Sequence, residues 1–285
     1  MLRSIRPWLW LLPAGTLIVP LFFFPVTILM RNSVYRDDPM QFLVPDFTFE
    51  NYITVLTDPY YLKVFGNSLG FAALVAIVAL VLAYPFVHLM LAVSERTRLL
   101  LLWVVCLPLY VSIIMRVFGW IVIIGDTGLV NQILLGLGWI SEPLHMLYEG
   151  EGVFLGMLHR YFPLMALPLL ASLQKIDPIL LRSSTNLGAG HVRTWLLVVF
   201  PLSIPGAVAG LQLVFAGVLS DYVIPMLMGS TRIPMIAPTV FYEASTNASW
   251  AKAGALGILL LALVLSLNIA VNAIVARSAP WTARA

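Results

Sequence analysis

The sequence predicts an all-α membrane protein with six transmembrane helices. Of its 285 residues, 61% are hydrophobic and 10% are charged, whereas soluble domains carry about 25% charged residues. Six apolar segments each reach the roughly 20 residues that a helix needs to cross the hydrocarbon core, and no segment alternates like a barrel strand. This composition excludes a soluble enzyme, a disordered chain, a disulfide-stapled secreted domain and a nucleic-acid binder.

The predicted spans must be helical, because open strands would leave backbone groups unpaired in lipid. The first span exceeds the roughly 7–15 apolar residues of a signal peptide and lacks a small-residue cleavage site, so we expect it to be retained. Together the spans indicate a single transmembrane domain over 1–285. They cover residues 8–30, 67–93, 99–124, 152–173, 204–228 and 255–276.

The 16 lysines and arginines set the expected orientation. With the N-terminus inside, nine lie in the inner segments, five in the longer outer segments and two, Arg116 and Arg160, within spans. Because basic residues concentrate on the cytoplasmic side, we expect both termini to be cytoplasmic. Ten of the 13 acidic residues then lie outside, either as a solvated surface or as a face that docks a partner or gathers cations.

The outer segments are predicted at 31–66, 125–151 and 229–254. The first contains the amphipathic stretch DFTFENYITVL, which is compatible with a helix along the membrane interface. The second begins GDTGLVNQ and is too short and glycine-rich to span, which favours a short interfacial or partly re-entrant helix.

The inner segment at about 175–200 has clear helix signals. Asp177 is a good N-cap, Pro178 suits the first helical position and Gly188 suits a left-handed C-terminal cap, so a helix is predicted over 178–187. A second helix is expected at about 192–200. The first helix either connects two spans or docks into a partner as an amphipathic helix. One face carries Ile179, Leu180, Ser183 and Leu187, and the other carries Arg182, Thr185 and Asn186.

This segment resembles the signature loop of binding-protein-dependent ABC importer permeases, E-A-A-x3-G-x9-I-x-L-P. Gly188 and Pro201 match at the required spacing, and Val198 and Phe200 stand for the isoleucine and leucine. The E-A-A positions differ, because an arginine and two serines occupy them. The resemblance implies that the contact with an ATPase is made by Arg182, Ser183, Ser184, Leu187, Gly188 and Ala189.

Four further motifs resemble the spermidine/putrescine subfamily of these permeases. They are NSL at 67–69, LPLYVS…R…W at 107–120, GDTGLVN at 125–131 and DYVIPMLMG at 221–229. The resemblance implies the six-helix type I ABC importer fold and import of a polyamine such as spermidine or putrescine. The alternatives are an ABC permease for another small organic solute or ion, or a secondary transporter, although the internal repeat of such transporters is not evident.

The chain carries no G-x-x-x-x-G-K-[ST] phosphate loop, so it is expected to be a non-enzymatic subunit with no cofactor of its own. No catalytic motif or grouping of metal ligands is evident in the sequence either. The resemblance implies a separate ATPase dimer that binds ATP and Mg, a second permease subunit of the same or similar sequence, and an extracytoplasmic solute-binding protein. It also implies a place in the lipid of the bacterial inner membrane.

Charged residues within spans are costly, at roughly 2.5–3.5 kcal/mol each on insertion scales, so Arg116 and Asp221 are the candidates for the substrate path. Either the two form an ion pair between helices, or Asp221 and Tyr222 receive an ammonium group by charge and cation–π attraction. Trp120, one helical turn beyond Arg116, could add an aromatic wall. The role of Arg160 stays open.

Two other patterns in the spans predict structural roles. His88 and His159 are single histidines, which we interpret as hydrogen-bonded core residues. Two small-xxx-small pairs, Gly66 with Gly70 and Gly206 with Gly210, are typical of close helix contacts.

Overall fold

The computed structural model describes residues 6–38, 42–229 and 233–278. Helices make up most of these residues, and π-helical turns at Trp195–Val199 and Pro225–Gly229 flank one long helix. The other elements are α1 (Arg6–Ser33), β1 (Arg36–Asp38), β2 (Phe42–Val44), α2 (Glu50–Thr57), α3 (Pro59–Ala92), α4 (Glu95–Tyr110), α5 (Ile113–Ile124), α6 (Leu129–Gly136), α7 (Gly150–Gln174), α8 (Pro178–Asn186), α9 (His191–Thr194), α10 (Phe200–Ser220), α11 (Ile236–Ser245) and α12 (Trp250–Ser278).

Six helical stretches of the described chain are long and apolar enough to cross a membrane, which confirms the predicted number of spans. Four of them overlap the predicted spans closely, and the fifth is shifted, because it covers His191–Ser220 rather than 204–228. The stretches are Ala14–Ser33, Pro59–Ala92, Ile113–Gly136, Gly150–Gln174, His191–Ser220 and Trp250–Arg277.

The third predicted span, 99–124, is not one helix. α4 ends at Tyr110, the backbone is extended at Val111, and α5 begins at Ile113. Pro108 lies in the last turn of α4, where it removes a backbone donor from the helix. By length and composition the apolar stretch that could span is Ile113–Gly136, so it extends into the segment predicted to lie outside from residue 125.

The chain packs as two compact units, Met1–Leu62 with Thr239–Ala262 and Lys63–Pro238 with Leu263–Ala285. In the first, β1 and β2 form an antiparallel hairpin that the all-α prediction did not include. The Asp37 carboxylate on β1 accepts hydrogen bonds from the backbone N–H groups of Ala251, at 2.9 Å, and Lys252, at 3.3 Å. It thereby satisfies donors that the first turn of α12 leaves free. The predicted amphipathic stretch forms α2, which buries Val55.

The second unit is built around the contact between α7 and α10. Gly206 and Gly210 of α10 face α7 so closely that a Cβ atom at Gly206 would lie 2.5 Å from the Pro168 carbonyl oxygen. A Cβ atom at Gly210 would lie 2.6 Å from the sulfur of Met165. Glycine is therefore needed at both positions for the two backbones to approach this closely.

The other glycine pair does not behave in the same way. A Cβ atom added at Gly66 or at Gly70 would meet nothing within 4 Å in the described chain. Within the described chain, the predicted close contact is therefore confirmed for the pair in α10 and not found for the pair in α3.

Substituting the two kinds of glycine should give opposite results. Gly206→Ala forces the added methyl group against the Pro168 carbonyl, which overpacks the α7–α10 contact and should destabilise the protein by about 1–3 kcal/mol. Gly66→Ala is the matched control, because it adds the same methyl group to open space and removes a poor helix former. Thermal unfolding of the detergent-solubilised chain should show a lower Tm for Gly206→Ala only. Equal Tm values would contradict the packing described.

Candidate functional site

The inner segment forms the helix that its sequence predicts. The Oδ1 atom of Asp177 accepts a hydrogen bond from the backbone N–H of Ile179 at 2.8 Å, which is the expected N-cap. α8 then runs over Pro178–Asn186, and Gly188 adopts a φ of +81°, the left-handed conformation expected after the helix. The second predicted helix does not end near residue 200, because α9, a π-helical turn and α10 follow one another without a break.

The apolar face of α8 points away from the described chain. Ile179 in its first turn is 64% exposed, and Leu187, the residue that follows the helix, is 87% exposed. The helix is held from its other side, where the Ser184 hydroxyl lies 2.8 Å from the hydroxyl of Thr194 in α9. Among the six residues implied in ATPase contact, Ser184 and Ala189 are half-buried, and the exposed ones are Arg182, Ser183, Leu187 and Gly188.

Asp221 lies at a break between helical segments, although the sequence placed it inside the fifth span, 204–228. α10 ends at Ser220, and the backbone of Asp221 is extended. Its Oδ1 atom accepts hydrogen bonds from the backbone N–H groups of Val223, at 3.0 Å, and Ile224, at 3.3 Å. The carboxylate therefore caps the helical turns that follow the break.

The second carboxylate oxygen of Asp221 is bound by two side chains of α7. The Tyr161 hydroxyl lies 3.1 Å from Oδ2 and 2.7 Å from the carbonyl oxygen of Gly217, so its proton serves two acceptors. The Nε atom of Arg160 lies 3.6 Å from the same Oδ2. The Asp221 side chain is only 1% exposed, so this buried negative charge is matched by Arg160.

Gly217 makes this arrangement possible. A Cβ atom there would overlap the Tyr161 ring, whose Cδ1 atom would lie 2.9 Å away. The glycine thus gives the tyrosine room to cross the face of α10 and reach Asp221. Neither Tyr161 nor Gly217 was predicted from the sequence, because their proximity depends on the register of α7 against α10. Arg160 did carry a signal, since it is a charged residue within a span.

Arg116 is not the ion-pair partner of Asp221 in the described chain, so of the two alternatives that the sequence left open, the ion pair between them is wrong. Its Nη2 atom donates to the carbonyl oxygens of Pro108 and Val111, the latter at 2.7 Å. The guanidinium therefore satisfies carbonyl groups at the C-terminal end of α4, where a cation is favourable. Its Nε atom is buried and has no hydrogen-bond partner among the described residues.

Arg116 and Arg160 line one cleft of about 260 Å³. Tyr161 and four apolar residues complete its wall, whereas the Asp221 side chain lies behind Arg160. Of the four substrate-path candidates, Arg116 is therefore the one that lines this cleft. Tyr222 is half-buried beside Asp221 in the chain.

Trp120 is engaged by α7. Its Nε1 atom donates a hydrogen bond to the Nδ1 atom of His159 at 3.1 Å, and the two rings lie edge to face with centroids 5.6 Å apart. The predicted hydrogen bonding is confirmed for His159, which is half-buried. It is wrong for His88, whose buried Nδ1 atom finds no hydrogen-bond partner in the described part of the chain.

Comparison with known proteins identifies relatives across most of the chain. The spermidine/putrescine transport system permease protein PotB of Salmonella typhimurium is 30% identical over 228 residues, which cover 80% of this chain and 79% of the relative. PotB of Haemophilus influenzae is 30% identical over 234 residues, 82% of each chain. No family model matches the sequence.

A solved structure has the same fold. It is a bacterial ABC transporter involved in the import of the acidic polysaccharide alginate, and one of its chains matches with a TM-score of 0.78. The match covers 96% of this chain and 98% of the other at 18% sequence identity. This confirms the ABC importer permease fold that the sequence predicts.

Two substitutions of Asp221 separate its two contacts. Asp221→Asn and Asp221→Ala both remove the charge that matches Arg160, so both should lower the Tm. The asparagine keeps a side-chain oxygen that can accept from the N–H groups of Val223 and Ile224, whereas the alanine does not. Asp221→Ala should therefore be less stable than Asp221→Asn by about 1 kcal/mol. Thermal unfolding in detergent measures the difference, and identical Tm values would contradict the capping role.

Proposed function

The chain belongs to the family of ABC importer permeases, and we propose that it is one of two membrane subunits that import a small solute with energy from a separate ATPase. The partner ATPase dimer binds ATP and Mg, and an extracytoplasmic solute-binding protein delivers the solute. The second permease subunit is the same or a similar chain. With nine basic residues in its inner segments, the chain is oriented with both termini in the cytoplasm of a bacterial cell.

The single observation that carries this proposal is the exposed apolar face of α8. A capped helix that points isoleucine and leucine side chains outward has a surface suited to a groove in a partner. The face belongs to the segment that matches the family's signature loop, so we assign the ATPase as its partner. Arg182, Ser183 and Ser184 then occupy the positions of the family's E-A-A residues.

Continuity of the chain supports a coupling role for α8. The hydroxyl contact between Ser184 and Thr194 ties α8 to α9, and α9 continues through a π-helical turn into α10. α10 ends beside Asp221, whose carboxylate is bound to α7. Closure of the ATPases would displace α8, and α10 would carry that displacement to the intramembrane cleft. The bundle then switches between inward-open and outward-open states.

The relatives and the cleft favour two different classes of solute. The relatives' names favour a polyamine, spermidine or putrescine, and this is our first candidate. The cleft favours a second class, a small solute with an anionic group, because two arginines line it and the nearest acid is buried. Uptake of radiolabelled putrescine by proteoliposomes that contain the complete importer tests the first candidate. ATP-dependent accumulation would assign the polyamine class and contradict the anionic class, and a transport-competent complex that does not accumulate putrescine would contradict the first candidate.

A charge on the apolar face of α8 should remove the ATPase. Ile179→Glu places the charge in the first turn, where an acid favours the helix, so α8 itself should persist. We expect at least tenfold less ATPase to co-purify with this variant, because the carboxylate must lose its water in the interface.

Leu137→Glu is the matched control for this experiment. Leu137 is also more than half exposed, and it lies outside the inner segment. It should retain the ATPase at the level of the unsubstituted chain. Equal recovery with both variants would contradict the assignment of α8, and loss with both would indicate a general defect rather than a lost interface.

A further inference from the structure

We propose that the cleft lined by Arg116 and Arg160 binds an anionic group of the transported solute, such as a carboxylate. The inference rests on the proposed function in one respect, namely that this chain conducts the solute. It does not rest on the polyamine candidate, and the two make opposite predictions about the charge of the bound group.

The charges that face the cleft are positive. Arg116 and Arg160 are the ionisable residues with permanent charge in its wall, and the other lining residues are Tyr161 and four apolar side chains. Asp221 balances Arg160 from behind, with 1% of its side chain exposed, whereas 31% of the Arg160 side chain remains exposed. Arg116 contacts carbonyl oxygens rather than an acid. The cleft therefore has a net positive charge.

Both guanidinium groups retain donors for a ligand. Each carries five N–H donors in a planar fork that matches a carboxylate. Arg160 uses Nε for Asp221, and its guanidinium also lies over the Tyr161 ring, with Cζ 5.4 Å from the ring centroid. Arg116 uses Nη2 for two carbonyl oxygens. The Nε atom of Arg116 is buried without an acceptor in the described chain. A buried donor in this state is costly, and an oxyanion that accepts a hydrogen bond from it would relieve that cost.

The depth of the cleft identifies the source of the anion. Arg160 is the eleventh residue of α7, about 15 Å along a helix of 25 residues, or about 37 Å in all. This places the guanidinium near the middle of the helix, whereas lipid head groups lie at the two surfaces of the bilayer. The occupant is therefore the solute rather than a lipid head group. A polyamine ammonium group at the same position would face two like charges.

Charge-selective labelling of a cysteine in the cleft tests the inference without knowledge of the solute. Cys106, the single native cysteine, is replaced by serine, and Leu164 in the cleft wall is replaced by cysteine. The intact importer is then treated with anionic 2-sulfonatoethyl or cationic 2-(trimethylammonium)ethyl methanethiosulfonate. Rates on this chain are read by mass spectrometry and normalised to a free thiol. The anionic reagent should react about tenfold faster.

Controls link the rate difference to the arginines. In a variant that combines Arg116→Gln and Arg160→Gln, the ratio of the anionic to the cationic modification rate at Leu164→Cys should fall close to one. At Leu137→Cys, an exposed position outside the cleft wall, the ratio should not respond to these substitutions. If the double variant fails to assemble, the rate ratio at Leu164→Cys in the chain that keeps both arginines still tests the inference. Equal rates, or a faster cationic reagent, would overturn the inference.

Protection of the same cysteine identifies the ligand chemistry. At constant ionic strength, succinate should slow modification of Leu164→Cys at least threefold, and putrescine should have no effect. Protection by putrescine, or no protection by succinate, phosphate or sulfate, would overturn the inference. Recovery of the ATPase with each variant is measured in parallel. A complex that keeps its ATPase while the cleft shows no preference for the anionic reagent would refute this inference and leave the proposed function intact.

Discussion

The close approach of α7 and α10 is the contact on which the rest of the second unit depends. Gly206 and Gly210 allow the backbones to meet, and Gly217 leaves the space that the Tyr161 ring occupies. The tyrosine hydroxyl and Arg160, both on α7, then reach the carboxylate of Asp221 at the end of α10. If α7 and α10 stood one methyl group further apart, the buried acid would lose the contacts that match its charge.

Lipid makes the matching of charge and of backbone groups a strict requirement. In the hydrocarbon core, no water is present to solvate an unpaired charge or to hydrogen-bond with an unpaired carbonyl group. The chain meets this requirement at two places where a helix ends. Asp221 accepts from backbone N–H groups in the turns after α10, and Arg116 donates to carbonyl groups at the end of α4. These polar groups let two helices end within an apolar sequence, and irregular backbone of this kind is tolerated in membranes where it is buried or lines a cavity.

Local features were readable from the sequence, and contacts between helices were not. The boundaries of α8 follow from Asp177 and Gly188, whose capping roles involve only neighbouring residues. The partner of Asp221 is Arg160 rather than Arg116, which depends on how α7 lies against α10. The same small-xxx-small spacing marks a close contact at Gly206 and open space at Gly66, so the spacing alone does not define an interface.

In the proposed mechanism, an ATPase bound to α8 moves α10 and thereby the arginine-lined cleft. A photo-crosslinking amino acid at Leu187, the 87% exposed residue that follows α8, tests this coupling in the intact importer. Light should join this position to the ATPase subunit, and the crosslinking yield should change when ATP is bound. Crosslinks to lipid or to the solute-binding protein instead would contradict this mechanism.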